Sequence, residues 1–177
     1  MRLDLVGSVE QLRLTPGNCF YPVFEAVSNS IHAIRDLGRS DGLIRIELIR
    51  DDQQGILDLP SGSEPSGRGS PEIAKIRITD NGEGFIEDNF VAFNELYTRR
   101  KSHLGAKGVG RLTWLKVFDH ANVASVYRDG SGWRIRAFDF VLPNGVENAR
   151  DDPLPDGGAS AASTTVILVS PLTRPPT

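Results

Sequence analysis

The sequence predicts an α+β fold of two layers, in which helices cover one face of a mixed, mostly antiparallel sheet. Three observations lead to this class. A long amphipathic helix precedes two adjoining strand patterns, a glycine-rich loop leads into a further helix, and three strand patterns close the chain. With 177 residues, of which 39% are apolar and 24% charged, the chain has the length and composition of a single domain, 1–177.

Composition and charge exclude several classes of protein. No apolar run approaches the roughly 20 residues of a membrane span, and the first residues are too polar for a signal peptide. We therefore expect a cytoplasmic protein without a membrane partner. The single cysteine, Cys19, excludes an internal disulfide framework and a zinc site with several cysteines. A net charge of −3 argues against a general nucleic-acid binder.

The first predicted element is a helix over residues 20–37. Turn-forming residues precede it, and Gly38 follows its end. At about 100° per residue its apolar side chains fall on one face, which we expect to enter the core. These side chains are Phe20, Val23, Phe24, Val27, Ile31 and Ile34.

Two strands follow, and an insertion joins them. Apolar and charged residues alternate over 43–50, which is the periodicity of a strand, and a second strand is predicted over 73–79. Residues 51–72 between them are rich in glycine, serine and proline, the composition of a surface loop. Because the two strands have the pattern of one hairpin, we interpret 51–72 as a loop insertion and not as a linker between domains.

The second half of the chain is predicted to complete the sheet. We expect a short helix over 86–96, a glycine-rich and basic loop over 98–110, and a helix over about 109–118. Further strands are predicted over 121–128, 132–142 and 164–170, with a loop over 143–163 before the last one.

Three polar segments are candidates for chemistry. The first is a stripe on the long helix, nearly opposite its apolar face, formed by Glu25, Asn29, His32 and Asp36. Such a stripe is usually solvated helix surface. In the alternative interpretation, Glu25 is a general base toward water, and the Asn29 carbonyl oxygen binds a hard cation such as Mg²⁺.

The second segment is Asp80-Asn81-Gly82-Glu83-Gly84, at the end of the 73–79 strand. Aspartate, asparagine and glycine are turn formers, so a simple turn is one interpretation. The other interpretation is the floor of a pocket. Glycines let a flat ligand approach the backbone, and a carboxylate, which only accepts hydrogen bonds, recognises an amino group.

The third segment is the loop over 98–111. Six lysine and arginine residues and no acid lie between Arg99 and Lys116. Just before the next helix stand Gly105, Gly108 and Gly110. Glycine loops that lead into a helix bind phosphate groups. Arg111-Leu112 replaces the Lys-Ser/Thr of a P-loop, and no dinucleotide-binding glycine pattern follows an early strand. A basic surface loop that binds nucleic acid remains as the alternative.

In this order and spacing, the three segments resemble the motifs of the GHKL nucleotide-binding superfamily. That group includes ninety-kilodalton heat-shock chaperones, type II topoisomerase ATPase subunits, MutL mismatch-repair proteins, MORC proteins and sensor histidine kinases. Residues 25–29 match the E-x-x-x-N box, 80–84 the D-x-G-x-G box and 105–110 the G-x-x-G-x-G lid box. The resemblance covers nearly the whole chain and implies a Bergerat-type sandwich with a flexible ATP lid over 98–111.

The resemblance also implies a role for each residue. Glu25 would be catalytic and activate the attacking water, and Asn29 would bind Mg²⁺. Asp80 would accept a hydrogen bond from the adenine amino group, and Thr164 would hydrogen-bond near adenine. The other residues implied to bind the nucleotide are Ala33, Gly82, Gly84, Lys101, Gly105, Lys107, Gly108, Val109 and Gly110.

The function implied by the resemblance is Mg²⁺-dependent binding and slow hydrolysis of ATP, which drives lid closure and dimerisation or another conformational switch. The chaperone, MutL and MORC-like branches fit best. In branches with a following domain, that domain adds a lysine to the γ-phosphate, so we expect this chain to be the N-terminal part of a longer protein and to hydrolyse weakly alone. The alternative is an ATP-binding signalling or histidine-kinase-like module without intrinsic hydrolysis.

Overall fold

The computed structural model describes residues 4–50, 73–95, 110–130, 132–155 and 157–171, so the predicted insertion over 51–72 lies outside the described residues. The α-helices in these ranges are α1 (Leu5–Glu10), α2 (Tyr21–Asp36), α3 (Glu87–Asn94) and α4 (Leu112–Val117). The strands are β1 (Ile44–Arg50), β2 (Ile73–Asp80), β3 (Phe118–Asp129), β4 (Gly132–Val141), β5 (Gly145–Pro153) and β6 (Ser163–Pro171). Within the described ranges, no helix has the length and apolar character that crossing a membrane requires.

The six described strands form one sheet in the order β1-β2-β6-β3-β4-β5, and every neighbouring pair is antiparallel. The predicted combination of helices with an antiparallel sheet is therefore confirmed. The last strand, β6, lies in the middle of the sheet, between β2 and β3. As a result Thr164 is paired with Asp80 on one side and with Ser125 on the other.

Two apolar rows cross one face of the sheet and form its core. The first row, in register, is Ile78, Val166, Val123 and Phe138. The second row is Ile76, Leu168, Ala121 and Phe140. All of these side chains are buried. Because side chains alternate across a strand, the two rows share the face on which the helices pack.

Aromatic side chains join α3 and α4 to this face. The ring of Phe93, on α3, lies 5.1 Å from both Phe138 and Phe140 and 6.0 Å from Trp114, measured between ring centroids. Trp114, on α4, is fully buried, and its indole nitrogen donates a hydrogen bond to the Pro22 carbonyl at 3.1 Å. These contacts place α2, α3 and α4 on the same side of the sheet.

The buried face of α2 differs from the predicted one. Pro22, Ala26 and Ser30 are buried, whereas Phe20 and Phe24 are 61% and 62% exposed. Small side chains face the sheet because the segment after β2 approaches the helix backbone closely, as described below. Of the predicted core face, Val23 and Val27 do pack against the core. The prediction is wrong for Phe20, Phe24 and Ile31, which are exposed.

Two elements lie where neither helix nor strand is predicted. α1 follows Asp4, whose carboxylate accepts a hydrogen bond from the Gly7 amide at 2.9 Å and caps the helix. β5 falls inside the predicted loop over 143–163, so that prediction is wrong. Because β5 is an edge strand with mostly exposed side chains, it lacks the apolar alternation that identifies a strand. The other described elements occur within a few residues of their predicted bounds.

Candidate functional site

A third row on the helix-facing side of the sheet is polar. It is formed, in register across four strands, by Asp80, Thr164, Ser125 and Arg136. All four residues are buried. Polar groups are stable in such surroundings only when they are hydrogen-bonded. The row therefore marks the end of the sheet at which the apolar core gives way to an organised polar site.

The carboxylate of Asp80 is held from two sides. The Ser30 hydroxyl, on α2, donates to Oδ2 at 2.7 Å, and the Gly82 amide donates to Oδ1 at 2.9 Å. Burial raises the pKa of Asp80, and these two hydrogen bonds act in the opposite direction. Each oxygen keeps a second lone pair. Asp80 is thus a fixed acceptor, as the recognition of an amino group requires.

Ser125 connects the segment after β2 to the centre of the sheet. Its Oγ accepts a hydrogen bond from the Phe85 amide at 2.8 Å and lies 3.0 Å from the Thr164 hydroxyl. Neither Ser125 nor Ser30 was predicted as a site residue. The sequence does contain a signal that could have identified them. Each serine stands at a position where the periodicity of its helix or strand predicts a buried side chain. Ser125, for example, lies between the buried residues Val123 and Tyr127 in the alternation of β3.

Both glycines of the 80–84 segment are required by packing. A Cβ built on Gly82 would lie 2.7 Å from the Ala33 Cβ and 2.8 Å from the Ile34 nitrogen. Gly84 has a φ of +85°, and a Cβ there would lie 2.8 Å from the Ser125 hydroxyl. The segment is therefore pressed against α2 on one side and β3 on the other. Contact of these glycines with a ligand stays a prediction.

Arg136 fixes the chain that leaves this segment. Its guanidinium donates to the Phe85 carbonyl at 3.1 Å and to the carboxylates of Glu87 and Asp151. It also lies over the ring of Phe90, 4.6 Å from the centroid. Three of these partners, Phe85, Glu87 and Phe90, follow directly after the 80–84 segment. Arg136 therefore holds the chain that leaves this segment against β4.

Glu25 lies on the flank of α2 that faces α4. Its side chain is half-buried, and the Asn29 amide nitrogen, one turn later, donates to Oε1 at 3.3 Å. Burial raises the pKa of Glu25, while the hydrogen bond from Asn29 and the charge of Arg111 lower it. The net rise makes Glu25 a stronger proton acceptor than an ordinary glutamate, which suits a general base.

The residues that enter α4 meet Glu25 directly. A Cβ built on Gly110 would overlap the carboxylate of Glu25, so a side chain at this position would have to displace that carboxylate. Arg111, which is only 8% exposed, donates from Nη2 to the Glu95 carbonyl at 2.7 Å. Burial lowers its pKa to about 10, and the charge of Glu25 opposes that shift. Its Nε has no hydrogen-bond partner within the described structure.

The helix α2 brings the described candidate residues together. Glu25 contacts Gly110, Ser30 contacts Asp80, and Ala33 contacts Gly82, all along one helix. Thr164 joins them through its pairing with Asp80. Five predicted lid residues lie outside the described residues. They are Lys101, Gly105, Lys107, Gly108 and Val109.

Two of the six cations between residues 99 and 116 are not at the surface. Arg111 and Lys116 are 8% and 3% exposed, and the Lys116 ammonium donates to the Glu10 carbonyl of α1 at 3.4 Å. Both side chains therefore tie α4 to its neighbours. They do not contribute to a basic surface for nucleic acid.

Asn29 is the one predicted metal ligand. Its amide nitrogen is engaged by Glu25, which leaves the carbonyl oxygen for a cation. In the part of the chain that the structure describes, no group of three or more histidine, cysteine, aspartate or glutamate side chains is arranged to hold a metal ion. A Mg²⁺ ion bound to this single protein oxygen would take its remaining ligands from phosphate oxygens and water, so the metal site stays a prediction.

No protein-family model matches the chain, and no curated protein matches it significantly. Function is therefore inferred from the residues of the site and their geometry.

Proposed function

We propose that the chain is a GHKL-type ATPase domain with a Bergerat-type sandwich, which binds ATP with Mg²⁺ and hydrolyses it slowly. One observation carries the proposal. The single helix α2 contacts the buried Asp80 carboxylate through Ser30 and the junction into α4 through Glu25. The first contact suits a nucleobase with an amino group, and the second suits the phosphate end of the same nucleotide.

Asp80 is the proposed partner of adenine. A buried carboxylate favours a ligand that donates a hydrogen bond and disfavours one that presents a carbonyl oxygen at the same place, since two acceptors repel. The exocyclic amino group of adenine is such a donor. Thr164, paired with Asp80 in the sheet, provides a hydroxyl beside it. Gly82 and Gly84 let this segment pack closely against α2 and β3, which holds Asp80 in place for the base.

Glu25 is the proposed general base. Its raised pKa supports a role as proton acceptor. Its contact with Gly110 supports a position beside the lid segment, which the resemblance implies to bind the phosphates. Asn29 orients Glu25 through its amide nitrogen and offers its carbonyl oxygen to the cation. Mg²⁺, when bound, supplies neutralisation of the phosphate charge. The lid lysines Lys101 and Lys107, and a lysine from a downstream domain, would contribute further positive charge.

In this proposal the hydrolytic cycle is a conformational switch. ATP binding would close the lid over 98–111 and promote self-association, and hydrolysis would reverse both. The alternative is an ATP-binding signalling module, of the histidine-kinase kind, that does not hydrolyse ATP. The ATPase and the signalling module differ in the role of Glu25, because only ATP hydrolysis needs a general base.

Isothermal titration calorimetry with ATP and Mg²⁺ tests the adenine contact. We expect ATP to bind more tightly than GTP and Asp80→Asn to weaken ATP binding by about tenfold or more, since it loses a charged acceptor. Asp139→Asn is the matched control, because Asp139 is also hydrogen-bonded within the sheet but lies on the opposite face. Tight ATP binding that survives in the Asp80 variant would contradict the assignment.

A phosphate-release assay on the chain and on any longer protein that contains it tests the general base. Glu25→Gln should abolish hydrolysis and leave ATP affinity largely unchanged, because the side chain keeps its size and loses its basicity. If the wild-type protein binds ATP but releases no phosphate, the non-hydrolysing alternative is favoured.

A nucleic-acid interface is the weaker candidate, because Arg111 and Lys116 are buried. Binding through the remaining cations of the 99–116 segment would fall steeply with salt and would survive Asp80→Asn.

A further inference from the structure

The two edges of the sheet are built differently. The exposed positions of β5, at one edge, include Asn148, Arg150 and Asp152, which discourage pairing with another strand. At the other edge, Ile46 and Leu48 of β1 are 49% and 55% exposed. An edge strand with exposed apolar side chains is a template for a further strand.

The exposed apolar residues of β1 lie on the helix-facing side of the sheet. Ile46 is paired with Ile78 and Leu48 with Ile76, and both partners are buried in the core beneath the helices. Side chains alternate along a strand, so Ile46 and Leu48 point to the same face as their partners. They add one more residue to each of the two apolar rows of the core, at positions that the helices do not cover.

The exposed flank of α2 borders the same region. Phe20, Phe24 and Ile31 are exposed on α2. At about 100° per residue, all three lie within about 80° of Ile34 around the helix. Ile34 packs against Gly42, shortly before β1, since a Cβ built on Gly42 would lie 2.5 Å from the Ile34 Cγ2. We define the β1–α2 surface as Phe20, Phe24, Ile31, Leu43, Ile46 and Leu48.

We propose that a second copy of this chain docks on the β1–α2 surface by antiparallel pairing of β1 with the partner's β1. In the proposed register Ile46 lies on the two-fold axis and faces the partner's Ile46. Ile44 then faces the partner's Leu48, and Arg45 faces the partner's Glu47. The two six-stranded sheets join into one continuous sheet, and the two apolar flanks of α2 cover the junction.

The charges of β1 select this occupant and this register. Arg45 and Glu47 lie on the face of the sheet opposite to the helices, where they are paired with Thr79 and Arg77. A two-fold axis at Ile46 forms the Arg45–Glu47 pair twice, so the strand is complementary to itself. An axis at Glu47 would place the two Glu47 side chains against each other. A slip by one residue would turn the apolar side chains to the charged face.

The existing ion pair of Glu47 is compatible with the dimer. Arg77 donates to the Glu47 carboxylate at 3.2 Å, and both side chains are about two-fifths exposed. A carboxylate accepts several hydrogen bonds, so Glu47 can bind Arg77 of its own chain and the partner's Arg45 together. The junction would then carry a row of alternating charges on one face and an apolar row on the other. This association involves no nucleotide, so it stands apart from the proposed ATPase function.

Native mass spectrometry and sedimentation of the nucleotide-free chain test the proposal. We expect a dimer. Arg45→Glu and Glu47→Arg should each weaken it by about tenfold or more, because each places like charges together at two points. A mixture of these two variants should form a heterodimer in preference to either homodimer, and the double variant R45E/E47R should dimerise again. Arg128→Glu, an exposed charge reversal on β3, is the matched control and should dimerise as the wild type does.

Two results would overturn the proposal. The first is a wild-type chain that stays monomeric at about 0.1 mM, which would mean that another occupant covers the surface, such as residues 51–72 or a different protein. The second is a dimer that tolerates both single charge reversals and shows no preference for the heterodimer on mixing, which would place the interface elsewhere. Circular dichroism of each variant establishes that it is folded, and pairing in the mixture or in R45E/E47R cannot be produced by a misfolded chain.

Discussion

The backbone of Gly110 lies directly against the carboxylate of Glu25, with no space between them for a side chain. Glu25 lies in the second turn of α2, and Gly110 lies in the turn that enters α4. Two segments that are far apart in the sequence are therefore in contact. Any change in the path of the chain before α4 must move Glu25 or be limited by it.

The first prediction concerns the space at Gly110. Gly110→Ala should displace the Glu25 carboxylate and abolish any ATP hydrolysis. Because that carboxylate ends a flexible, half-buried side chain, the free energy of unfolding should fall by less than about 1 kcal/mol. Urea unfolding and phosphate release measure the two effects. Gly130→Ala is the control, because a Cβ there meets no atom within 4 Å. Hydrolysis at the wild-type rate in Gly110→Ala would contradict the contact.

A double-mutant cycle identifies the group that fills the space. In a Glu25→Ala background the carboxylate is gone, so Gly110→Ala should cost less than in the wild type. We expect a coupling free energy of about 0.5 kcal/mol or more between the two sites. If the cost is the same in both backgrounds, the side chain of Glu25 is not what excludes alanine at residue 110.

The second prediction separates backbone strain from crowding at Gly84. Gly84 and Gly157 have φ angles of +85° and +80°, but only Gly84 has a near neighbour, the Ser125 hydroxyl. Alanine at either position bears the left-handed backbone cost of about 1–2 kcal/mol. Gly84→Ala should cost about 1 kcal/mol more than Gly157→Ala, measured by urea unfolding. A larger loss in Gly157→Ala would mean that the contact with Ser125 is unimportant.

The third prediction concerns the buried hydroxyl of Ser125. Ser125→Ala leaves the Phe85 amide and the Thr164 hydroxyl without this partner in a buried place, so it should cost about 1–3 kcal/mol. It should also weaken ATP binding, because the 80–84 segment loses its anchor on β3. Thr165→Val is the control. Thr165 bonds the Thr79 hydroxyl at 3.2 Å on the less buried face of the sheet, so its loss should cost below about 1 kcal/mol. Comparable losses from both would argue against a special role for Ser125.

The fourth prediction follows from the pKa of Glu25, which burial raises. The folded state then binds the proton more tightly than the unfolded state, so the stability contributed by protonated Glu25 is complete below the unfolded pKa of about 4.3. This contribution is lost as the pH rises through the pKa of Glu25 in the folded protein, which is the higher of the two. Glu25→Gln is neutral throughout, so the variant should become more stable relative to the wild type as the pH rises from about 4 to 7.

Urea unfolding of both proteins across this range measures the difference. Arg111, whose pKa is lowered only to about 10, stays charged throughout and does not contribute to the slope. Asp80 titrates in both proteins and cancels in the comparison. A difference between the two proteins that is independent of pH would mean that burial does not perturb Glu25. If Glu25 is the general base, the acid limb of the ATPase profile should follow the same raised pKa.

The local sequence pattern was sufficient to predict the positions of α2, of β1 to β4 and of β6. Their periodicity extends over seven or more residues, and turn-forming residues bound most of them. It failed for β5, because an edge strand with exposed side chains has no apolar alternation to detect. It was only partly right for the face of α2, where Val23 and Val27 pack against the core but Phe20, Phe24 and Ile31 are exposed. Periodicity identifies an apolar stripe but not the surface that the stripe will meet.

Sequence patterns alone were enough to place the elements other than α1 and β5 in order and to name Glu25, Asp80, Gly82 and Gly110 as residues of interest, because motifs are local patterns of residue types. The tertiary structure alone decided that β6 lies between β2 and β3, which brings Thr164 and Ser125 beside Asp80. It also decided that small residues of α2 face the sheet, because Gly82 approaches the helix backbone at Ala33 and Ile34 and leaves no room there for a larger side chain. The physical reason is close packing. Which face is buried depends on the shape of the neighbours, and that shape is a property of the whole fold.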